Sequence, residues 1–412
     1  MPRLSNSWPP AAGVIGCLAF VLIGWTGLLV PSLIRSVKDT FDQSDAGIGL
    51  FYFVFAVAYA SGSLGGGLVI ERLGRRTVLS LAAGLHGTGL VAFAVAPSWT
   101  VFLLVAISAG LGAGAIDGGT NGMFLDLFRS GRGRALNLLH LFFSLGALSA
   151  PLAVGRLVGS GVEWQAIVLA SGGSVIVLAV LFAVVPVPHG RQARAAAEDT
   201  TELGLLERAR SRLAAPLLLL AFAIACYVAS EVGVSSWLVR FLEPAPLTAA
   251  TTALSLYWAG LAVGRLVSAR LADRFDHVRF AAASTAAMSV ALFGAILAPS
   301  LPISVALFAL AGVVSGPVFP MIIAIGGDRY PDRSAAVGGF LTSAAVVGSV
   351  VYPPIMGLLS VTSGLTVAML GTALLGLACA AALIVVGRMP LGEPSRIAGA
   401  AGTIGGSSRF RC

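Results

Sequence analysis

The chain is built from apolar runs of about 20 residues or more, each closed by a short charged or glycine- and proline-containing junction. A helix rises about 1.5 Å per residue, so one such run crosses the roughly 30 Å of hydrocarbon in a bilayer. Cutting at the junctions predicts twelve helical spans. The first six cover residues 10–34, 45–70, 77–96, 99–126, 135–158 and 165–187. The last six cover 213–242, 249–271, 279–299, 302–327, 334–360 and 363–387. The runs lack period-two alternation and are about twice the length of a barrel strand, which excludes a β-barrel. The predicted fold is all-α and integral to the membrane, with twelve transmembrane helices in two pseudo-symmetric six-helix bundles.

The two halves repeat. Glu71-Arg72 recurs as Asp273-Arg274 (273 − 71 = 202), and Asp126 recurs as Asp328 (328 − 126 = 202). Gly146, Pro151 and Gly155 return at the same offset as Gly348, Pro353 and Gly357. An offset near half of a membrane chain points to two related bundles facing each other, as in many secondary transporters. The polar stretch from His189 to Arg212 divides the chain into an N-terminal bundle (1–187), a cytoplasmic linker (188–212) and a C-terminal bundle (213–388). The Gly/Ala/Ser-rich tail (389–412) is expected to be disordered.

Composition narrows the class. Charged residues make up 11% against about 25% in soluble domains, and mean hydropathy is +0.93, so the protein belongs in a lipid bilayer. The apolar run from Ala11 to Ile34 is too long for a signal-peptide core and predicts a first span. Net charge is +8, but the basic residues are dispersed over loops without interleaved aromatics, which argues against a nucleic-acid partner. Loop charge sets orientation instead. With both termini in the cytoplasm, the inner loops hold Arg72, Arg75, Arg76, Arg129, Arg132, Arg134, Arg270, Arg274, Arg279, Arg329 and Arg333, whereas the outer loops hold only Arg35, Lys38, Arg156 and Arg240. The positive-inside rule therefore predicts a multi-pass plasma-membrane protein with cytoplasmic termini.

Gly67-Leu-Val-Ile-Glu71-Arg72-Leu-Gly74-Arg75-Arg76 occupies the junction between spans two and three. Here the chain resembles the major facilitator superfamily, whose signature in that loop is G-x-x-x-D-R-x-G-R-R; Glu71 stands where that signature has Asp. The copy around Asp273-Arg274 is degenerate, with Ala269 in place of the glycine. Glycine permits a tight turn, and a carboxylate beside arginines can bond a neighbouring helix end. The cluster is expected to latch helices on the cytoplasmic side, as a gate that also includes Arg265. The bland alternative is that the arginines only anchor the loop.

Three ionisable residues lie deep in spans: Asp117, Glu231 and Arg265. An ionisable side chain at mid-bilayer costs at least about 2.5–3.5 kcal/mol, so each needs a partner, water or a role. Helical spacing puts Thr120 and Asn121 on the side of Asp117, forming a polar face on a glycine-rich helix. Tyr227 precedes Glu231 by one turn. The 117–121 pattern, the Tyr227-x-x-x-Glu231 pattern and Trp258-Ala-Gly-Leu-Ala-Val-Gly264-Arg265 resemble the fucose/glucose proton symporter branch. That resemblance implies proton-driven sugar uptake with the span-four acid in proton coupling. The span-one acid of fucose-type members is absent from Trp25-Thr26-Gly27-Leu28-Leu29. Counting residues places Arg265 near the cytoplasmic end and Glu231 in the outer half, which predicts no direct pair and leaves Arg265 to helix-end carbonyls or a gate residue. On the 202 offset, Asp117 maps to Phe319, Glu231 to Leu29 and Arg265 to Ser63, so the deep charges fall where the repeat breaks.

The expected function is secondary active transport by alternating access, with Asp117 and Glu231 as proton-coupling groups. Asn121, Thr120, Tyr227, Trp25, Trp237 and Trp258 are the expected substrate contacts. The partners are a small solute and protons, the protein acts as a monomer, and no cofactor is implied. Resemblance favours sugar import. The scarcity of amides in the span interiors, Asn121 and Asn137, favours the alternative of proton-driven efflux of an amphipathic drug or metabolite. A membrane enzyme is disfavoured because the four histidines are scattered and no H-E-x-x-H pattern occurs; a primary pump is disfavoured because there is no P-loop. The cysteines have no metal or redox spacing, and the lone His86 and His140 suit packing better than a metal.

Overall fold

A computed structural model describes residues 10–128, 132–188, 214–271 and 274–389. The linker and the tail therefore fall almost wholly outside the described residues, as does Asp273. Twelve helices within the described residues are long and apolar enough to cross a membrane. In the first half these are α1 (Pro10–Gly27) with α2 (Leu29–Phe41), then α3 (Asp45–Leu73), α4 (Arg75–Ala94), α5 (Trp99–Leu127), α6 (Arg132–Gly159) and α7 (Trp164–Val184). In the second half they are α8 (Ala214–Phe241), α9 (Leu247–Leu271), α10 (His277–Ile296), α11 (Leu301–Ser315) with α12 (Val318–Arg329), α13 (Ser334–Ser363) and α14 (Leu365–Arg388).

Two spans expected to be continuous are interrupted. The first breaks at Leu28, beside Gly27 and Pro31; the tenth breaks at Gly316-Pro317. Pro317 and Pro320 have no N–H, so the carbonyls of Val313 and Gly316 lose their helical donors. The signature junction is shorter than expected. Helices α3 and α4 are separated by Gly74 alone, whose φ of +80° suits a residue without a side chain. Gly67 lies inside α3, well before the turn.

Packing repeats as the chain does. In the first half α1 packs on α6, α3 on α5 and α4 on α7; in the second α8 packs on α13, α9 on α11 and α10 on α14. Glycines set the closest approaches. Gly62 faces the backbone of Leu111 and Gly114 that of Tyr59; Gly264 faces Val313 and Gly316 faces Leu261, each 202 residues on. Here the backbones nearly touch because a small residue lets them. Gly146 faces the carbonyl of Val21, whereas Gly348 faces that of Ala225 (225 − 21 = 204). The span-one to span-seven register is therefore offset by 204, and Glu231 corresponds to Gly27 at the α1–α2 break rather than to Leu29.

A leucine at Gly114 would drive its first carbon into the Tyr59 backbone, whereas at Gly65 nothing lies within 4 Å of that position. Gly114→Leu is expected to destabilise the protein by about 3 kcal/mol or to prevent folding, and Gly65→Leu to change little. Thermal unfolding in detergent checks this; equal melting temperatures for the two variants would contradict the packing.

The halves meet through α3 on α13, α6 on α9 and α2 on α8. Among the described residues, the hydrogen bonds and ion pairs that join them gather at one end, away from the chain termini, called here the distal end. Arg35 of α2 donates to the carbonyls of Val239 (2.9 Å), Leu242 (2.6 Å) and Ala245 (2.9 Å) at the close of α8. Asp45, 5% exposed in the first turn of α3, receives Lys38, Arg240 (3.0 Å) and the Ser360 hydroxyl (2.5 Å). Glycines press the helices together beneath this clasp: Gly49 against Pro354 and Gly357, and Gly159 against Thr248.

Candidate functional site

Asp117 sits midway along α5, partly exposed. Asn121 Nδ2 donates to its Oδ1 at 3.0 Å and to its own-helix carbonyl at 3.1 Å. The Tyr59 hydroxyl of α3 completes the shell. Each of these side chains is neutral. Thr120 does not join them: it is fully buried in the first bundle, and its hydroxyl has no hydrogen-bond partner among the described residues. Residues three and four ahead lie on opposite flanks of Asp117, and the boundary of bundle packing runs between them.

Glu231 has a different shell. Its carboxylate receives the Tyr227 hydroxyl, which also lies 3.0 Å from the Ser315 carbonyl beside the span-ten break. Arg265 Nη2 lies 3.9 Å from Glu231 Oε1, with side-chain exposures of 30% and 12%. This corrects the expectation that depth keeps the two apart. A helical side chain leans toward the N-terminus of its helix. Because α8 and α9 run in opposite directions, Glu231 leans toward the termini and Arg265 toward the distal end, and the difference in depth closes. His140 of α6 lies within the electrostatic reach of Arg265, across the halves.

The expected aromatic contacts are mostly occupied by the protein itself. Trp25 donates from Nε1 to Ser171 Oγ at 2.9 Å. Trp237 is fully buried and donates to the Pro353 carbonyl at 3.0 Å, with Tyr52 against its ring at 5.8 Å. Trp258 meets Phe143 across the halves at 5.8 Å, and its buried Nε1 has no hydrogen-bond partner among the described residues. A cavity of about 260 Å³ opens in the distal half, lined by α1–α5, α7, α8 and α13, and none of the expected site residues lines it. Tyr59 is among its lining residues and also interacts with Asp117. No spacing rule marked Tyr59 or Asp45; both act through partners on other helices.

The signature cluster divides in two. Arg75 pairs with Asp126 at 2.7 Å in the last turn of α5 and donates to the Pro188 carbonyl at 3.3 Å. Arg76 Nε donates to the Ala183 carbonyl at 2.7 Å near the end of α7. Both place positive charge where a helix C-terminus carries negative charge. Glu71 and Arg72 are exposed, with no side-chain hydrogen bond or ion pair among the described residues, and Arg274 is exposed as well. The link between helices therefore runs through Arg75 and Asp126 rather than Glu71. In the second half His277 meets Asp328 at 2.8 Å, which is the same pair displaced by 202 (277 − 75 = 328 − 126 = 202). The repeat persists in the pair that makes contact, although the motif around it has decayed.

The model of one family, the Major Facilitator Superfamily, matches residues 14–249 and 244–404. The chain belongs to that superfamily. Among curated relatives, it is 22% identical to the uncharacterized MFS-type transporter YfkL of Bacillus subtilis, over 88% of this chain and 93% of that one. It is 25% identical to a glucose/galactose transporter of Brucella abortus, over 86% and 88%. Among solved structures, a bacterial homolog of the human lysosomal transporter Spinster, inward-facing and occupied, aligns with TM-score 0.76 at 16% identity over 93% and 98%. A D-xylose-proton symporter aligns with TM-score 0.74 at 14% identity over 92% and 97%. The protein is thus a membrane transporter of this superfamily and not an enzyme.

Proposed function

We propose that the protein is a proton-coupled symporter of a sugar or similar small solute, working by alternating access between its two six-helix bundles. The observation that carries this reading is the unequal partnering of the two deep carboxylates. Glu231 has a cation beside it, while the partners of Asp117 are the neutral Asn121 and Tyr59. A guanidinium beside a carboxylate holds it in a fixed ion pair, whereas a carboxylate among neutral groups has no such tie and is available to exchange a proton. Asp117 is therefore the proton carrier, and Asn121 beside it, together with Glu231, Arg265 and Tyr227, shapes the solute site. The glucose/galactose relative and the D-xylose-proton symporter support sugar as the solute.

In this reading the positive-inside rule makes the terminal end cytoplasmic in the plasma membrane, so the clasped distal end faces outward and the conformation is closed to the outside. The bundles act within a single chain, and a monomer suffices. The test is uptake of labelled D-glucose into proteoliposomes with an alkaline interior. Accumulation that collapses on adding a protonophore is expected; uptake indifferent to the gradient would overturn proton coupling.

A further inference from the structure

The cavity above Tyr59 is poorly suited to a bare sugar. Its walls are Phe51, Phe55, Phe93, Phe102 and Trp164 with aliphatic residues of α2, α8 and α13. Seven polar side chains reach it: Thr26, Tyr52, Tyr59, His86, Trp164, Ser236 and Ser349. Nearly all are already satisfied within the protein. Thr26 Oγ1 meets His86 Nε2 at 3.0 Å, and His86 Nδ1 meets the Ala109 carbonyl at 2.9 Å. Tyr52 donates to the Ser236 carbonyl (2.9 Å), Trp164 to Thr40 Oγ1 (3.0 Å) and Ser349 to the Val346 carbonyl (2.8 Å), and Tyr59 interacts with the Asp117 carboxylate. The Ser236 hydroxyl makes no hydrogen bond within the described residues, although the carbonyl of the same residue accepts from Tyr52. A sugar ring carries a hydroxyl on almost every carbon, and burying those groups without partners costs more than the ring's burial returns.

Tyr59 joins this cavity to the polar site: it lines the one and interacts with Asp117 in the other. The clasp of Arg35, Asp45 and Arg240 lies over the distal end of the same helices. A solute entering from the polar site can thus place a polar end at Asp117 and Asn121 and an apolar end among the phenylalanines. We infer that the cavity takes the apolar part of the solute, so that the carried compound is a glycoside with an aromatic or short aliphatic aglycone. This rests on the sugar-symport reading and narrows its substrate class. It also accounts for the scarcity of amides within the spans, because only one end of such a molecule needs hydrogen bonds.

The test is calorimetric titration of the purified protein in nanodiscs with D-glucose and with phenyl β-D-glucopyranoside. The phenyl glucoside is expected to bind at least about tenfold tighter, with a more negative heat-capacity change, because burying the ring removes apolar surface from water. Val346, 37% exposed, has room for a larger side chain directed at the cavity. In Val346→Phe, and independently in Val232→Phe, the affinity ratio of the two compounds is expected to fall toward one, with thermal unfolding as the check on folding. Equal affinities in the unaltered protein, or a ratio that survives both substitutions, would overturn the aglycone site alone. Binding of neither compound would overturn the sugar reading and the site with it.

Discussion

Asp117→Asn is expected to abolish proton-driven accumulation while solute exchange continues. Asparagine matches aspartate in shape and can still bond Asn121 and Tyr59, so the polar shell stays closed. It cannot take up a proton. With one proton per solute, a gradient of about one pH unit supplies about 1.4 kcal/mol and supports about tenfold accumulation. Without the carrier group, internal solute should rise only to the external concentration, while counterflow of labelled against unlabelled solute persists. Glu231→Gln should behave in the opposite sense, impairing counterflow itself, because it leaves Arg265 without its carboxylate and disturbs the Tyr227 contact. Both are measured in the same proteoliposomes. Full accumulation in Asp117→Asn would remove that residue from the proton path.

Breaking the distal clasp should have an effect of similar size on conformation. Asp45 is almost fully buried and gathers Lys38 and Ser360 as well as Arg240, which belongs to the opposite half. A charge-assisted hydrogen bond contributes about 1.5–3 kcal/mol, so losing the Asp45 charge weakens the closed distal end by about 3 kcal/mol. That shifts the balance toward the outward-open state about a hundredfold. The measurement is the labelling rate of a cysteine at Ser349, which lines the cavity beneath the clasp, by a membrane-impermeant maleimide added outside. Asp45→Asn should raise that rate steeply, and Arg35→Ala should do the same by freeing the end of α8. An unchanged rate in both variants would mean that the clasp does not hold the gate.

How far the residues spoke for themselves differed from level to level. The twelve spans were legible because hydrocarbon forces every backbone group to bond within its own helix, and apolar length alone reports that. Gly27 with Pro31, and Gly316 with Pro317 and Pro320, carried the signals for the two breaks, but long apolar runs masked them. The deep charges stood out by their cost in a bilayer. Their partners did not. The Arg265–Glu231 approach depends on the opposite lean of side chains on antiparallel helices, which residue counting ignores. Thr120 and Asn121 differ by a single position, yet the packing boundary sends one into the bundle and leaves the other on the carboxylate. In the signature loop Glu71 drew attention by matching the motif, whereas the ion pair formed through Arg75 and Asp126, 51 residues apart in the chain (126 − 75 = 51).

Sequence by itself determined the membrane class, the number of spans, the doubling of the chain and the identity of the deep ionisable groups. Each is a property of composition or of spacing along one helix, and solvent physics acts on those locally. Tertiary structure alone decided that Asp117 keeps neutral company while Glu231 faces a cation, that span seven runs 204 rather than 202 residues after span one, and that Asp45 closes the distal end. Those outcomes depend on which helix faces meet and on how side chains lean across the gap. Contacts between helices far apart in the chain leave no period in the sequence to read.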